Sequence, residues 1–180
     1  MRPFARLTLA AAAALALAAC ATTNARSYAE RASDVGRYRT YAWGPATVQT
    51  TGDPRLDNNQ FFKERVEAAV ERQLGARGFE KATEVPDLLI RYYASVEQQM
   101  SADGADRPYV SCEECRPFVF DAGTIVVDLI DARTRRLVWR GWEEGSFDGV
   151  VNDQAWMEKR IDRSVARILE QLPRRTGRVS

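Results

Sequence analysis

The sequence predicts a two-layer α+β domain, with a four-stranded antiparallel or mixed sheet and two helices on one face, in the order β-α-β-β-β-α. Three observations predict it. Two segments, about 57–77 and 152–172, repeat apolar residues at helical steps, whereas four others are aromatic or β-branched runs of strand character. Three of those four strand segments follow one another between the helices, which excludes regular βαβ alternation and favours helices gathered on one side of the sheet. The 180 residues, 45% of them apolar and 28% charged, suit one ordinary folded domain with appendages and exclude two full domains or a disordered chain.

Each element carries its own signal. Arg37 to Trp43, RYRTYAW, is rich in aromatics and Thr and stops at Gly44-Pro45, which makes it the first strand. Asp57 is the expected N-cap of the first helix, with Gln60 as its capping-box partner. Phe62, Val66, Ala69, Val70 and Leu74 then recur on one face, and the helix should end near Arg77 with Gly78 as its C-cap. After Pro86-Asp87, residues Leu88, Ile90, Tyr92, Ala94 and Val96 alternate with Leu89, Arg91, Tyr93, Ser95 and Glu97, the pattern of a half-buried strand. A stretch without pattern, about 99–118, precedes TIVVDLID, Thr124 to Asp131. The short polar turn ARTRR joins that run to Leu137–Gly145 as a hairpin. The last helix starts near Asn152, buries Met157, Ile161, Val165, Ile168 and Leu172, and is stopped by Pro173. Residues 174–180 are a basic tail, expected to be frayed.

The amino terminus reads as an address. Arg2 and Arg6 precede an uncharged run from Leu7 to Ala19, too short to span a hydrocarbon core of about 30 Å. Residues 1–19 are therefore expected to be a signal peptide. The run closes on Leu17-Ala18-Ala19-Cys20, which resembles the lipobox of bacterial lipoproteins. That resemblance implies cleavage between Ala19 and Cys20 and acylation of Cys20, and several acyl chains hold a protein on a bilayer where one binds only marginally. Position 21 is Ala, and not the Asp that holds many lipoproteins at the inner membrane, so the resemblance implies the outer membrane. Cleavage removes two of the 26 basic residues and none of the 25 acidic ones, leaving a mature charge of about −1. Residues 20–36 read as the lipidated Cys and a small, polar, flexible tether, and 37–173 as the single domain.

A family resemblance rests on four strings. These are Tyr38-Arg39-Thr40-Tyr41-Ala42-Trp43, Pro86-Asp87-Leu88-Leu89-Ile90 after a helix ending in Gly78-Phe79, Gly123 to Leu129, and Leu137-Val138-Trp139-Arg140-Gly141 before a helix ending at Leu172-Pro173. In that order the chain resembles, over nearly all of 37–173, the bacterial lipoprotein family catalogued as domain of unknown function 4136. The resemblance implies a small α+β envelope domain with no assigned reaction and no catalytic residues to carry over. The Cys112/Cys115 pair lies outside its pattern.

Composition narrows the chemistry. The chain has no histidine, which removes Ser-His-Asp and Cys-His activation, His-ligated zinc and a histidine pH switch. Near-zero net charge gives no footprint for nucleic acid. Once Cys20 is acylated, Cys112-Glu-Glu-Cys115 leaves an even pair, and an oxidising compartment favours a disulfide between them. A thioredoxin-like pair would need a stabilised thiolate, which Glu113 and Glu114 oppose. Zinc would need a second paired motif, and two free thiols are the remaining reading. Asp128 with Asp131, and Glu143 with Glu144, are candidate carboxylate pairs of the kind glycoside hydrolysis uses. Asp131, however, reads as a turn residue, and neighbouring Glu143 and Glu144 should point to opposite faces of a strand.

The strand alternation suggests one further site. If Leu88, Ile90 and Tyr92 face the helices, Arg91 and Tyr93 lie on the other side, and Arg39, Tyr41, Trp43, Arg140 and Trp142 form matching alternate sets. Sharing the helix-free face, these seven residues would make an Arg/aromatic surface able to stack on sugars or grip an acidic or extended partner. The plainer reading is a set of cross-strand pairs covering a half-exposed sheet. The expected function is a non-catalytic, lipid-anchored envelope module facing the periplasm, needing no cofactor or metal, with an envelope protein or glycan as partner. The alternative is an enzyme using its carboxylates or the cysteine pair.

Overall fold

The computed structural model describes residues 25–30, 34–45, 51–57, 59–101, 118–147 and 152–173. Its elements are β1 (Ala25–Ala29), a 3-10 turn (Val35–Arg37), β2 (Thr40–Trp43), α1 (Gln60–Gly75), β3 (Glu80–Lys81), β4 (Leu88–Ser101), β5 (Phe118–Asp131), β6 (Leu137–Ser146) and α2 (Gln154–Glu170). They build one mixed sheet of six strands, ordered β1-β6-β5-β4-β2-β3, with both helices packed on its core-facing side. The α+β class is as expected, but the sheet has six strands and not four.

The two additional strands have separate causes. Residues 25–29, which composition reads as tether, pair antiparallel with β6 from Ala25 opposite Glu143 to Ala29 opposite Trp139. ARSYA is too small and polar to announce a strand, and it forms because β6 offers an open row of backbone donors and acceptors. β3 has two residues, parallel to β2, and is held by the turn after α1. Ala25–Ala29, inside the segment expected to be tether, are thus part of the sheet.

The helices bury the predicted stripes. Phe62, Val66, Ala69, Val70 and Leu74 of α1 meet Met157, Ile161, Val165, Ile168 and Leu169 of α2 over a sheet face that carries Leu88, Ile90, Ile125, Val127, Leu129 and Trp139. Leu172, placed on the second helix by the sequence, is buried just beyond its end. The start of the first helix differs from expectation. Asn59, not Asp57, caps α1 by accepting from the Phe62 N–H, while Asp57 accepts from the backbone and hydroxyl of Thr51. α2 starts near Asn152, as expected, and Asp153 caps it through the N–H groups of Ala155 and Trp156. Gly78 stands at φ 78°, where the Phe79 N–H can reach back to the Leu74 carbonyl and close the end of α1.

α1 serves as the crossover between parallel β2 and β4, a connection that needs a helix's length of chain. The unpatterned stretch contracts from both sides, since β4 runs to Ser101 and β5 begins at Phe118, giving a ladder of fourteen residue pairs. Cys20, Cys112 and Cys115, and with them the expected signal peptide, acylation, disulfide and tail, lie outside the described residues.

Asp153→Ala should lower the free energy of unfolding by about 1 kcal/mol, whereas Asn152→Ala should stay within about 0.5 kcal/mol. Urea titration followed by circular dichroism checks both.

Candidate functional site

Away from the irregularity at Leu129/Ile130, the antiparallel register sorts the described side chains of β1, β6, β5 and β4 to one side of the sheet or the other. On the helix-free side two rows cross the strands. Arg26, Trp142, Val126 and Tyr93 stand opposite one another in the first, and Tyr28, Arg140, Asp128 and Arg91 in the second. Strands are about 4.8 Å apart, so each row runs about 14 Å. Tyr28 is exposed, Trp142 and Tyr93 are half-buried, and between them Asp128 is only 2% exposed because Arg140 lies over it. Arg140 donates from Nε and Nη2 to the two carboxylate oxygens, both at 2.6 Å, and this fork raises the guanidinium pKa further. Arg91 crosses the backbone at Gly44, and its buried Nε has no acceptor.

Four of the seven predicted residues, Arg91, Tyr93, Arg140 and Trp142, thus come together. Tyr41 and Trp43 do not. β2 runs parallel to β4 with Tyr41 beside Leu88 and Trp43 beside Ile90, so both point among the helices. Alternation within one strand cannot show which of its faces is inside, and β2 was assigned to the wrong one. Arg39 stands before β2, exposed, with its N–H given to Asp87. Arg26 and Tyr28 were missed because their segment carries no strand signal. Their alternation beside Trp142 and Arg140 becomes visible only once β1 is paired.

Trp43 belongs to a different feature. Its ring meets Tyr92 edge-on at 6.2 Å, and its Nε1 donates to Glu71 Oε1 at 2.8 Å, which also accepts from Lys81. The two rings, with Phe62, Ile90, Lys63 and Glu67, line a groove of about 470 Å³ between α1 and the β2–β4 side of the sheet. Burial, with a smaller effect of Glu67, pushes the Tyr92 hydroxyl up to about 12.

The candidate carboxylates have other partners. Asp128 is taken by Arg140. Glu143, 2% exposed on the helix side, accepts from Arg167 at 2.8 Å with Arg160 3.8 Å away, while Glu144 points outward on the opposite face. Asp131 is the turn residue its sequence suggests, accepting from the N–H groups of Arg133 and Thr134 at 3.0 and 2.7 Å and from the Tyr38 hydroxyl at 2.9 Å. These donors, the Thr134 N–H foremost, hold its pKa down at about 2 against the opposing effect of burial. Asp128 and Asp131 are separated by side as well, since Asp131 pairs with core residue Leu88 and Asp128 with Arg91. Among the described residues no group of three or more His, Cys, Asp or Glu could hold a metal ion, and no helix is long and apolar enough to cross a membrane.

Residues 25–174 match the family described as Domain of unknown function (DUF4136). The chain belongs to this family. No curated protein sequence matches it. Among solved structures this DUF4136 domain is similar to a PDZ domain protein from Parabacteroides distasonis, at 17% identity and TM-score 0.56, over 90% of this chain and 39% of that one. The chain therefore spans 39% of the length of that protein. Lower scores relate it to the PelC dodecamer from Paraburkholderia phytofirmans (12% identity, TM-score 0.43, 81% of this chain and 93% of that one). A minor lipoprotein from Acinetobacter baumannii scores similarly (13%, 0.40, 75% and 89%). At such identities the likeness concerns fold alone.

The strings that carried the resemblance have structural roles in this DUF4136 domain. Asp87 Oδ2 accepts from the N–H groups of Arg39 and Thr40, and Thr40 Oγ1 accepts from the Asp87 N–H, so the starts of β2 and β4 are clamped to each other. Trp139 lies across Gly141, where a Cβ would collide with the indole. Tyr38 ties the segment before β2 to Asp131.

Because the folded-state pKa of Asp131 lies below its ordinary 3.8, its stabilising effect is complete above that value and is lost as pH falls towards about 2. The urea midpoint should drop across that window. Asp131→Asn, which keeps an acceptor for the turn but no charge, should flatten the drop, as read by denaturation at pH 5, 4, 3 and 2.

Proposed function

We propose that the chain is a lipid-anchored envelope protein, held at the periplasmic face of the outer membrane through Cys20, that acts by binding and not by catalysis. The observation that carries this reading is the pair of rows on the helix-free face. Flat aromatic side chains from three strands, Tyr28, Trp142 and Tyr93, alternate there with the guanidiniums of Arg26, Arg140 and Arg91. Aromatic faces offer apolar stacking area at little entropic cost, and guanidinium forks offer donors of fixed direction. With Asp128 engaged by Arg140 and Glu144 on the same side, the face is of mixed charge. It suits the hydroxyl-rich, extended chain of an envelope glycan better than a polyanion. The engagement of Asp128, Asp131 and Glu143 by Arg and backbone donors supports the non-catalytic part of the reading, since none of these carboxylates stands free as an acid or base.

Two measurements test it. Palmitate supplied to growing cells should label the protein and fail to label Cys20→Ser. The protein should sediment with isolated peptidoglycan sacculi, and Trp142→Ala and Tyr93→Ala should each weaken that association by about threefold to tenfold while keeping the wild-type circular dichroism spectrum, the loss expected for one aromatic contact. Equal sedimentation of wild type and both variants would remove this face as the site. A photo-crosslinker at position 142 that captures one defined protein would make the partner a polypeptide.

A further inference from the structure

Apart from Glu170 in the last turn, the charges of α2 are sorted around its axis. Glu158 and Asp162 turn towards α1, where Arg65 Nη1 and Arg72 Nη2 donate to them at 2.7 and 2.5 Å. The helical period carries Arg160, Arg163 and Arg167 to a different side, at steps of three and four, with Lys159 beside them and Trp156 one turn earlier. Arg160 and Arg167 share the single buried carboxylate of Glu143, so one acid faces two guanidiniums. Lys159 and Arg163 are exposed and form no ion pair with a described residue. Trp156 at the end of this stripe is 62% exposed, a large ring left in contact with water.

A second, independent observation says what covers the stripe. α2 packs along β1 and β6, and Ala25, where the N-terminal segment enters the fold, stands opposite Glu143. The chain therefore arrives beside Arg160 and Arg167. Cys20 is five positions before Ala25. Five residues span at most about 18 Å even when fully extended, so the acyl chains would bring the bilayer surface close to this flank of the domain.

We infer that the exposed stripe of α2 from Trp156 to Arg163 rests on the anionic headgroups of the membrane that holds the anchor. Lys159 and Arg163 supply the exposed positive charge, and Trp156 enters the headgroup layer, the level where indoles concentrate in membrane proteins. This rests on acylation of Cys20, and it adds that the domain has a fixed orientation on the bilayer.

The test uses the acylated mature protein, beginning at Cys20, reconstituted in vesicles of phosphatidylethanolamine and phosphatidylglycerol, 7:3, with bromine on the acyl chains to quench nearby indoles. We expect quenching of wild type, its loss in Trp156→Phe, and a reduction of about half or more in the Lys159→Glu/Arg163→Glu double variant or in phosphatidylcholine vesicles. All three positions are exposed, so the variants should keep the wild-type circular dichroism spectrum. Flotation reads the anchor separately, since every variant should float with the vesicles. Floating protein whose quenching is the same with and without Trp156 would overturn the orientation while leaving the anchor intact. Protein that does not float but whose Trp156 is quenched on mixing would overturn the anchor and keep the lipid-binding stripe. Dimerisation in detergent abolished by Trp156→Phe, with no quenching in vesicles, would assign the stripe to a second copy and overturn the inference.

Discussion

Side-chain alternation along the β4–β5 ladder is the constraint from which the rest follows. Its fourteen pairs, from Leu88 opposite Asp131 to Ser101 opposite Phe118, make it the longest registered contact in the sheet. A slip of one residue would turn every side chain of a strand to the other face. With the register set by Ile90 against Leu129 and Tyr92 against Val127, the faces of β6 and β1 follow by pairing. Arg91 and Asp128 are turned outward by the same rule that turns Ile90 inward. The helices add to that choice by covering only one side, and Trp139 seals it by lying across Gly141, where no larger side chain would leave room.

The sequence was most legible where period and composition agreed. The stripes of both helices and the Thr124–Asp131/Leu137–Gly145 hairpin needed only counting, because burial imposes the same spacing wherever it occurs. Legibility failed where a residue's fate depends on a distant partner. Tyr41 and Trp43 alternate as well as any exposed pair, and only their parallel register with Leu88 and Ile90 shows them to be inside. ARSYA has no strand propensity to speak of, and its strand exists because β6 lacks a neighbour on that edge. The cap of the first helix was displaced for a local reason. Asp57 is as good a cap as Asn59, but Thr51 claims its carboxylate, and that bond joins residues six apart in a loop with no periodic signal.

Three carboxylates that a sequence reader would credit with chemistry lie on adjacent strands and have different surroundings. Asp128 is covered on the open face by one guanidinium, Glu143 is enclosed on the helix side between two, and Asp131 closes a turn. Burying a charge is tolerated where partners compensate it, and removing a partner would leave an expensive orphan. The basic residues left over, on α2 and across the open sheet face, are therefore the ones whose charge is available to anything outside the fold.

The position of β1 also has a mechanical side. A segment that enters a protein along an edge strand, parallel to that strand's own axis, transmits tension into the fold through all the ladder bonds at once. One that leaves sideways peels them in succession. Residues Ala25–Ala29 enter lengthwise against β6, itself bonded to β5. A pull on Ala25 along the axis of β1 would thus be carried as shear across the β1–β6 ladder, and the five-residue strand is the part of the described fold that such a pull loads first.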